Sequence, residues 1–340
     1  MAADLPSTTH NDGYAGLTPQ AVLDALQAAG LYGDGRLLQL NSYENRVFQV
    51  FLEDGSAVVA KFYRPGRWTD AQILEEHAFA LELAAQDIPM VPPLPLPDGS
   101  TLGHVTLEGT AHRFSVSPRR AGRAPELDDP DTLQWLGRFI ARIHAVGRQQ
   151  AFVHRRRLDI VTFGHRPRQL LLDGGFVPDT QRAGWQAACD AVLARVEQAF
   201  ADAGDIALLR LHGDCHPGNV LWREGEGPHF VDLDDACTGP AIQDLWMLMS
   251  GDRAGMTRQL SELLDGYLQF MPFDRRELQL IEPLRTLRMI HHSAWLAERW
   301  GDPAFPAAFP YFGSAAYWSE QTTQLREQLE AMDEPPLEVY

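Results

Sequence analysis

The sequence predicts an α+β protein of two lobes, a small antiparallel β lobe carrying one main helix and a larger, mostly helical lobe. Three observations lead there. Short apolar runs bounded by turn residues are concentrated between residues 36 and 116, as expected of strands. One amphipathic helix, opened by Trp68-Thr69-Asp70 and running through Ala85, interrupts them. From Asp131 onward apolar residues recur mainly at helical spacing. At 340 residues the chain is long enough for two lobes with real cores. The expected divisions are a loose tail over 1–15, a nucleotide-binding lobe over 16–117 and a catalytic and substrate lobe over 118–340.

In chain order, Thr18-Pro19 is a favourable N-cap and first helical residue, and the helix that follows runs to Gly30 as its stop. Strands are expected over Arg36–Leu40, Arg46–Leu52 and Ser56–Tyr63, the last two joined through the hairpin dipeptide Asp54-Gly55. Between the first two lies Asn41-Ser42-Tyr43-Glu44-Asn45, which lacks the G-x-G-x-x-G of a glycine-rich phosphate loop. Ser42, through its hydroxyl or amide, is the candidate phosphate contact there; a plain β-turn is the alternative. Lys61 lies near the end of the otherwise apolar Ala57-Val58-Val59-Ala60-Lys61-Phe62, where a charge must snorkel or be paired. It is either an edge-strand lysine or a phosphate-binding lysine with a helix carboxylate as partner. On the helix, Ile73, Glu76, Phe79 and Leu83 share one face. Glu76 is therefore the expected partner, and Glu75, turned more toward solvent, the fallback. The Pro-rich stretch Ile88–Pro97 is a connector, and strands near Leu102–Leu107 and Thr110–Val116 complete the lobe. Pro118–Arg123 breaks the pattern as a hinge would, leaving the backbone of Ser115–Ser117 for an adenine edge.

In the second lobe the first helix carries Leu133, Leu136, Phe139, Ile140 and Ile143 on one stripe, with His144 read as a packed histidine. The run His154-Arg155-Arg156-Arg157 reads as a solvated face, contact with an anionic substrate being the alternative. Further helices are expected over Gln186–Ala201, Ala241–Ser250, Ser261–Phe270, Glu282–Trp300 and Tyr317–Met332. Asp244, set between Ile242 and Leu245, needs hydrogen-bond donors and reads as a brace for a neighbouring loop. Arg285, Arg288, His291, His292 and Trp295 could line a substrate cleft, although core and surface roles account for most such residues.

The chemistry is concentrated in His212-Gly213-Asp214-Cys215-His216-Pro217-Gly218-Asn219, then Phe230-Val231-Asp232-Leu233-Asp234-Asp235. This reads as a loop followed, after room for a tight hairpin, by a short apolar strand ending in acids. Phosphoryl transfer needs such groups: a carboxylate to orient the attacking hydroxyl and take its proton, and an amide oxygen plus a carboxylate to hold Mg²⁺ on the nucleotide phosphates. Protein kinases use H-R-D-x-x-x-x-N followed by D-F-G. The present H-G-D-x-x-x-x-N, followed by a hydrophobic residue and Asp232, points to a variant of that pattern and gives the two lobes a protein kinase-like fold. Gly, Asp and Asn also gather in turns for backbone reasons alone, but the joint occurrence outweighs that account. Asp214 and Asp232 are the candidate catalytic residues, Asn219 and Asp232 the candidate metal ligands, and Ser42, Lys61 and Glu76 the candidate nucleotide-binding residues, with ATP and Mg²⁺ as cofactors. Asp234 is an accessory carboxylate or a solvated acid. Cys215 is a small buried filler or, alternatively, a redox-sensitive thiol.

A formal net charge of −17 argues against nucleic acid as a partner, and favours solubility and, weakly, a cationic substrate. No apolar run reaches the ~18 residues of a membrane span. The polar Met1–Asp12 start is unlike an export signal, and three cysteines without CxxC spacing fit a reduced cytoplasm.

Several of these segments resemble the bacterial stress response kinase A family, Ser/Thr protein kinases with a choline kinase-like fold in the aminoglycoside phosphotransferase-like superfamily. They are Asn41–Arg46, Lys61-Phe62-Tyr63-Arg64-Pro65, Ile73-Leu74-Glu75-Glu76-His77, the catalytic loop, Asp244-Leu245-Trp246-Met247, Glu282-Pro283-Leu284-Arg285 and Asp302-Pro303-Ala304-Phe305-Pro306. The resemblance runs from about residue 35 to 335. It implies a Mg²⁺- and ATP-dependent kinase acting on Ser/Thr of protein substrates in a stress response, cytoplasmic and monomeric. It also implies Asp214 as proton acceptor, Asn219 and Asp232 as Mg²⁺ ligands, and Ser42 at ATP. The chain departs from ordinary protein kinases in lacking the glycine-rich loop and an A-P-E activation segment. A small-molecule kinase acting on an aminoglycoside, choline or homoserine with the same groups is the nearest alternative, and a non-catalytic pseudokinase the one from another class.

Overall fold

The computed structural model describes residues 13–339. Thr18 caps the first helix, α1 (Pro19–Ala28), by accepting from the Ala21 amide. Five strands and a second helix follow: β1 (Gly33–Leu40), β2 (Arg46–Leu52), β3 (Ala57–Tyr63), α2 (Asp70–Ala85), β4 (Gly103–Leu107) and β5 (Thr110–Pro118). The strands form one antiparallel sheet in the order β1-β2-β3-β5-β4. Alternation on β3 sends Val58, Ala60 and Phe62 into the core beside Phe48, Val50, Phe114 and Val116. It leaves Lys61 on the opposite face, level with Val47 and Ser115.

A capping box between Thr69 and Gln72 fixes the start of α2. One face of the helix packs Ile73 against Tyr63 and Trp68, while Phe79 and Leu83 join the core of the helical part. The connector after α2 is also tied down, since the Phe230 amide donates to Pro89 and the Val91 amide donates to Phe230.

The helical part comprises α3 (Pro130–Gly147), α4 (Arg166–Asp173), α5 (Asp179–Ala203), α6 (Ile242–Trp246), α7 (Arg253–Tyr267), α8 (Ile281–Glu298), α9 (Ala304–Ala308) and α10 (Ala315–Asp333). Two small antiparallel ladders are set among them: β6 (Leu209–Leu211) with β9 (Cys237–Gly239), and β7 (Val220–Arg223) with β8 (Gly227–Phe230). Among the described residues no helix is long and apolar enough to cross a membrane.

Several sequence expectations change. The expected tail lies for residues 1–12 outside the described residues, but Tyr14 is buried and its hydroxyl donates to the Glu44 carbonyl at 2.9 Å. The helix expected over 241–250 closes after five residues as α6, although the whole segment through Met249 is buried. The expected strand carrying Asp232 ends at Phe230, so Asp232 lies beyond it with φ +62°. That left-handed conformation is uncommon for a residue with a Cβ and costs energy. The helical residues 161–173, with a π turn over Val161–His165, were not anticipated; their apolar spacing is short and broken by Gly164 and Pro167.

Helices α3 and α7 cross at backbone contact. A Cβ on Gly137 would lie 2.0 Å from the Leu263 carbonyl oxygen, and one on Gly266 would lie 2.0 Å from that of Gln134. Neither neighbour can yield, because both are main-chain atoms. Gly137→Ala is therefore expected to push the helices apart and cost about 1–3 kcal/mol, read as a lower urea midpoint with an unchanged slope.

Candidate active site

The buried strand β6 delivers the chain to His212-Gly213-Asp214. Gly213 has φ +83°, and a Cβ there would stand 2.2 Å from the Asp235 carbonyl oxygen, so only glycine fits. Asp244 grips this turn from below. It accepts from the amides of His212 and Gly213 at 2.9 and 2.8 Å, and lies 3.0 Å from His144 Nε2. The other nitrogen of His144 meets the Tyr267 hydroxyl. The expected brace and the packed histidine are thus halves of one buried network. Its foundation is Glu277, which accepts from the Ile242 amide at the start of α6; burial pushes its carboxyl up to about 7.

Asp214 projects from the turn into a cleft of about 990 Å³. Its Oδ1 accepts from Arg288 Nη1 at 2.6 Å, while Oδ2 faces Asn219 Nδ2 at 3.3 Å and His216 Nε2 at 3.5 Å. Burial opposes ionisation of Asp214, but hydrogen bonding to His216 and the charge of Arg288 outweigh it and hold the carboxyl below its usual range. Asn219 spends its amide hydrogens on Asp214, including the main-chain carbonyl at 3.0 Å. Its side-chain oxygen is thereby left for a cation. The Asn219 carbonyl accepts from the Val231 amide, which sets Asp232 beside the loop.

Across the cleft Lys61 Nζ lies 3.0 Å from Asp232 Oδ1, 3.6 Å from Asp234 Oδ1 and 3.8 Å from Glu76 Oε1. Burial works against the ammonium, yet the three carboxylates raise its pKa well above the ordinary lysine value. Burial pushes Glu76 up to about 7 despite the pull of Lys61. Glu76, and not Glu75, is the helix acid that meets the lysine. Glu75 is the more exposed of the two, as expected, and accepts from the amides of Val153, His154 and Arg155.

Two expectations are corrected here. Asp234 is not solvated: it is buried, 2.5 Å from Arg67 Nη1 and 3.2 Å from Asn45 Nδ2. The basic run is not a solvated face. His154 and Arg157 are exposed, but Arg155 is buried, donating to the carbonyls of Asp234 and Ala236 with its guanidinium over the Trp68 ring. Arg156 pairs with Asp235 at 2.5 Å. Arg67, Arg155, Arg156 and Asp235 are the residues sequence reasoning missed. The signal was an arginine run in a chain whose acidic cluster Asp232-Leu233-Asp234-Asp235 had no assigned cationic partners. Cys215 is fully buried and its thiol is pushed well above the ordinary range, as the filler reading expects.

Ser42 lines the cleft, and its hydroxyl accepts from the Asn45 amide at 3.3 Å. The loop that carries it is held by the far lobe. Glu44 meets Arg299 Nε at 2.6 Å and Trp295 Nε1 at 2.5 Å, Arg46 and Arg64 share Asp302, and the Tyr43 ring stands 4.9 Å from that of Phe309. Of the stretch expected at the adenine edge, the Val116 carbonyl is already committed to the Leu94 amide.

A model of the phosphotransferase enzyme family matches residues 36–281. Stress response kinase A of Escherichia coli O157:H7 is 45% identical over 323 residues, covering 95% of this chain and 96% of the relative. A Salmonella typhimurium relative, 44% identical over the same shares, is called serine/threonine protein kinase RdoA. This chain belongs to the stress response kinase A family of phosphotransferases. The kinase also shares its fold with the amicoumacin kinase hAmiN, at TM-score 0.71 and 22% identity over 94% of each chain. A microcompartment-associated aminopropanol kinase superposes at TM-score 0.69 with 17% identity, over 93% of this chain and 97% of the other.

The segments that suggested this family, Asn41–Arg46, Lys61–Pro65 and Asp302–Pro306, prove to touch one another through Glu44, Arg64 and Asp302. They form one junction between the lobes rather than three separate motifs.

The donor set of the site suits a hard cation. Asp232 and Asn219 offer side-chain oxygens, the donor type that a hard divalent cation takes.

Stability should report the Glu277 foundation. Between its unfolded value near 4.5 and its folded value of about 7, the folded state holds a proton the unfolded chain has released, so stability falls as pH rises. Glu277→Gln removes that titration. The variant should gain relative to the parent between about pH 5 and pH 8, by on the order of 3 kcal/mol, measured from denaturant midpoints.

Proposed function

We propose that this kinase transfers the γ-phosphoryl group of ATP to Ser or Thr hydroxyls of protein substrates, with Mg²⁺ as the metal and a bacterial stress response as its setting. The reading is supported most by one observation: Asp214, Asn219 and Asp232 line a single cleft, and Lys61 reaches Asp232 from the sheet at 3.0 Å. It is supported further by the names of relatives at about 44% identity. Residues 16–117 act as the nucleotide lobe and 118–340 as the catalytic and substrate lobe.

Asp214 orients the acceptor hydroxyl and takes its proton as the new P–O bond forms and the bond to the β-phosphate breaks. Its depressed pKa keeps it ionised at neutral pH, so it is a weak base that works mainly by position. Asn219 and Asp232 hold the metal, which supplies charge neutralisation on the phosphates when bound. Lys61 supports the phosphates from the sheet side, kept in place by Glu76. Ser42, on its anchored loop, contacts the phosphates in place of glycine amides. The rigidity of that loop comes from Glu44 and Tyr43.

Asp214→Ala is expected to lower kcat by at least about 10²-fold with nucleotide affinity retained. Asp232→Ala should abolish transfer and also weaken Mg²⁺-dependent nucleotide binding. Both are measured with labelled ATP, offering a generic protein acceptor beside amino alcohols, sugars and aminoglycosides. Label on protein, lost with Asp214, supports the reading, and label on a metabolite alone moves the acceptor to the small-molecule class.

A further inference from the structure

The acceptor side of the cleft carries a feature that the transfer machinery leaves unused. Asp214 has one oxygen occupied within its own loop, where Oδ2 faces Asn219 and His216. The oxygen open to an incoming hydroxyl is Oδ1, and Arg288 Nη1 stands on it at 2.6 Å. A hydroxyl that donates to this oxygen therefore competes there with Arg288. The arginine lines the cleft with its side chain 46% exposed, so little packing holds it in place. It brings a positive charge and a planar fork of donors wherever it goes.

The other arginines of the cleft are committed elsewhere. Arg67 and Arg156 pair with Asp234 and Asp235, Arg64 with Glu44 and Asp302, and Arg299 with Glu44 and Glu298. Asp214 is the ion-pair partner that Arg288 shows among the described residues. Around it α8 presents Leu284, Leu287, His291 and His292 to the cleft, and Phe163 closes the side. Both histidines are held neutral, His291 by burial and then by the charge of Arg156 against that of Asp235, and His292 by burial and Arg288. The other carboxylates lining the cleft, Glu44, Asp232, Asp234, Asp235 and Glu298, are each paired with an arginine or with Lys61. Once displaced, Arg288 is a mobile cation next to the reacting hydroxyl. A cationic acceptor would be repelled by it, and an anionic one would replace the partner it has lost.

We propose that Arg288 selects the acceptor, so that this kinase takes a hydroxyl flanked by a carboxylate or another anion, as in a Ser or Thr within an acidic peptide. The inference rests on the kinase reading above and specifies its substrate class. It also runs against the weak expectation of a cationic substrate drawn from the net charge of −17. Total charge is a property of the whole surface, whereas selection is made by the wall that the acceptor touches.

The test uses three Ser peptides that differ only in carrying Glu, Gln or Lys around the Ser, assayed beside a hydroxy acid and an amino alcohol of similar size. The full chain should favour the Glu peptide over the Gln peptide by about tenfold in kcat/KM, mostly through KM, with the Lys peptide poorest. Arg288→Gln should level the series, Arg288→Glu should invert it, and Arg288→Lys should keep its order. The proposal is overturned if Arg288→Glu still favours Glu peptides, if the parent favours Lys peptides or transfers to no acidic acceptor, or if Arg288→Gln loses the same factor on every acceptor. The last result would put the arginine on the transferred phosphoryl group. Label moving only to the small acceptors would end the protein-kinase reading. The charge rule would then stand or fall on the hydroxy acid against the amino alcohol.

Discussion

Asp234 is the carboxylate on which the two lobes converge. Through it and its neighbours, Lys61, Arg67, Arg155 and Arg156 meet Glu76, Asp232, Asp234 and Asp235 in one connected cluster. Burying that many charges is expensive, and pairing them recovers the cost only when the geometry is good. The return is specificity of arrangement. The cluster takes one member from β3, one from α2, one from the segment after β3, two from the arginine run and three from the segment after β8. Each of those elements is therefore placed relative to the others by charge as well as by packing.

This has a consequence for a kinase without a glycine-rich loop. Glycines let a loop wrap phosphates with its amides and also let it move. Here the loop bearing Ser42 is held through Asn45 to Asp234 and through Glu44 to Arg299 and Trp295. Order that glycine-rich loops acquire around nucleotide is built in from the far lobe. The same logic applies on the other side of the cleft, where Asp244 fixes the amides of His212 and Gly213 so that Asp214 emerges in one direction. Between these two supports Arg288, its side chain 46% exposed, reaches Asp214 from α8.

Much of the architecture was legible because its causes are local. Thr18-Pro19, Thr69 with Gln72, and Asp54-Gly55 set element ends through hydrogen bonds only a few residues apart, and the alternation on β3 placed Lys61 opposite the core. Glu76 could be chosen over Glu75 because helical spacing put it on the apolar face with Ile73 and Leu83. The short elements were harder. Asp232 was read onto a strand because Phe230-Val231 is apolar. The ladder with β7 stops at Phe230, and the chain then turns sharply, burying Asp234 and leaving Asp232 and Asp235 lining the cleft.

By itself the sequence determined the strands of the sheet and the kinase family, because spacing and residue type suffice for those. Beyond the Lys61–Glu76 pair, only the tertiary structure decided which charges meet. An arginine run that looks solvated in one dimension is drawn inward once Asp234, Asp235 and Trp68 stand beside it. Arg288, one polar residue among several on α8, gains its significance only because α8 lays it on Asp214. A charge takes its role from its partners, and partners many tens of residues apart are brought together by the fold.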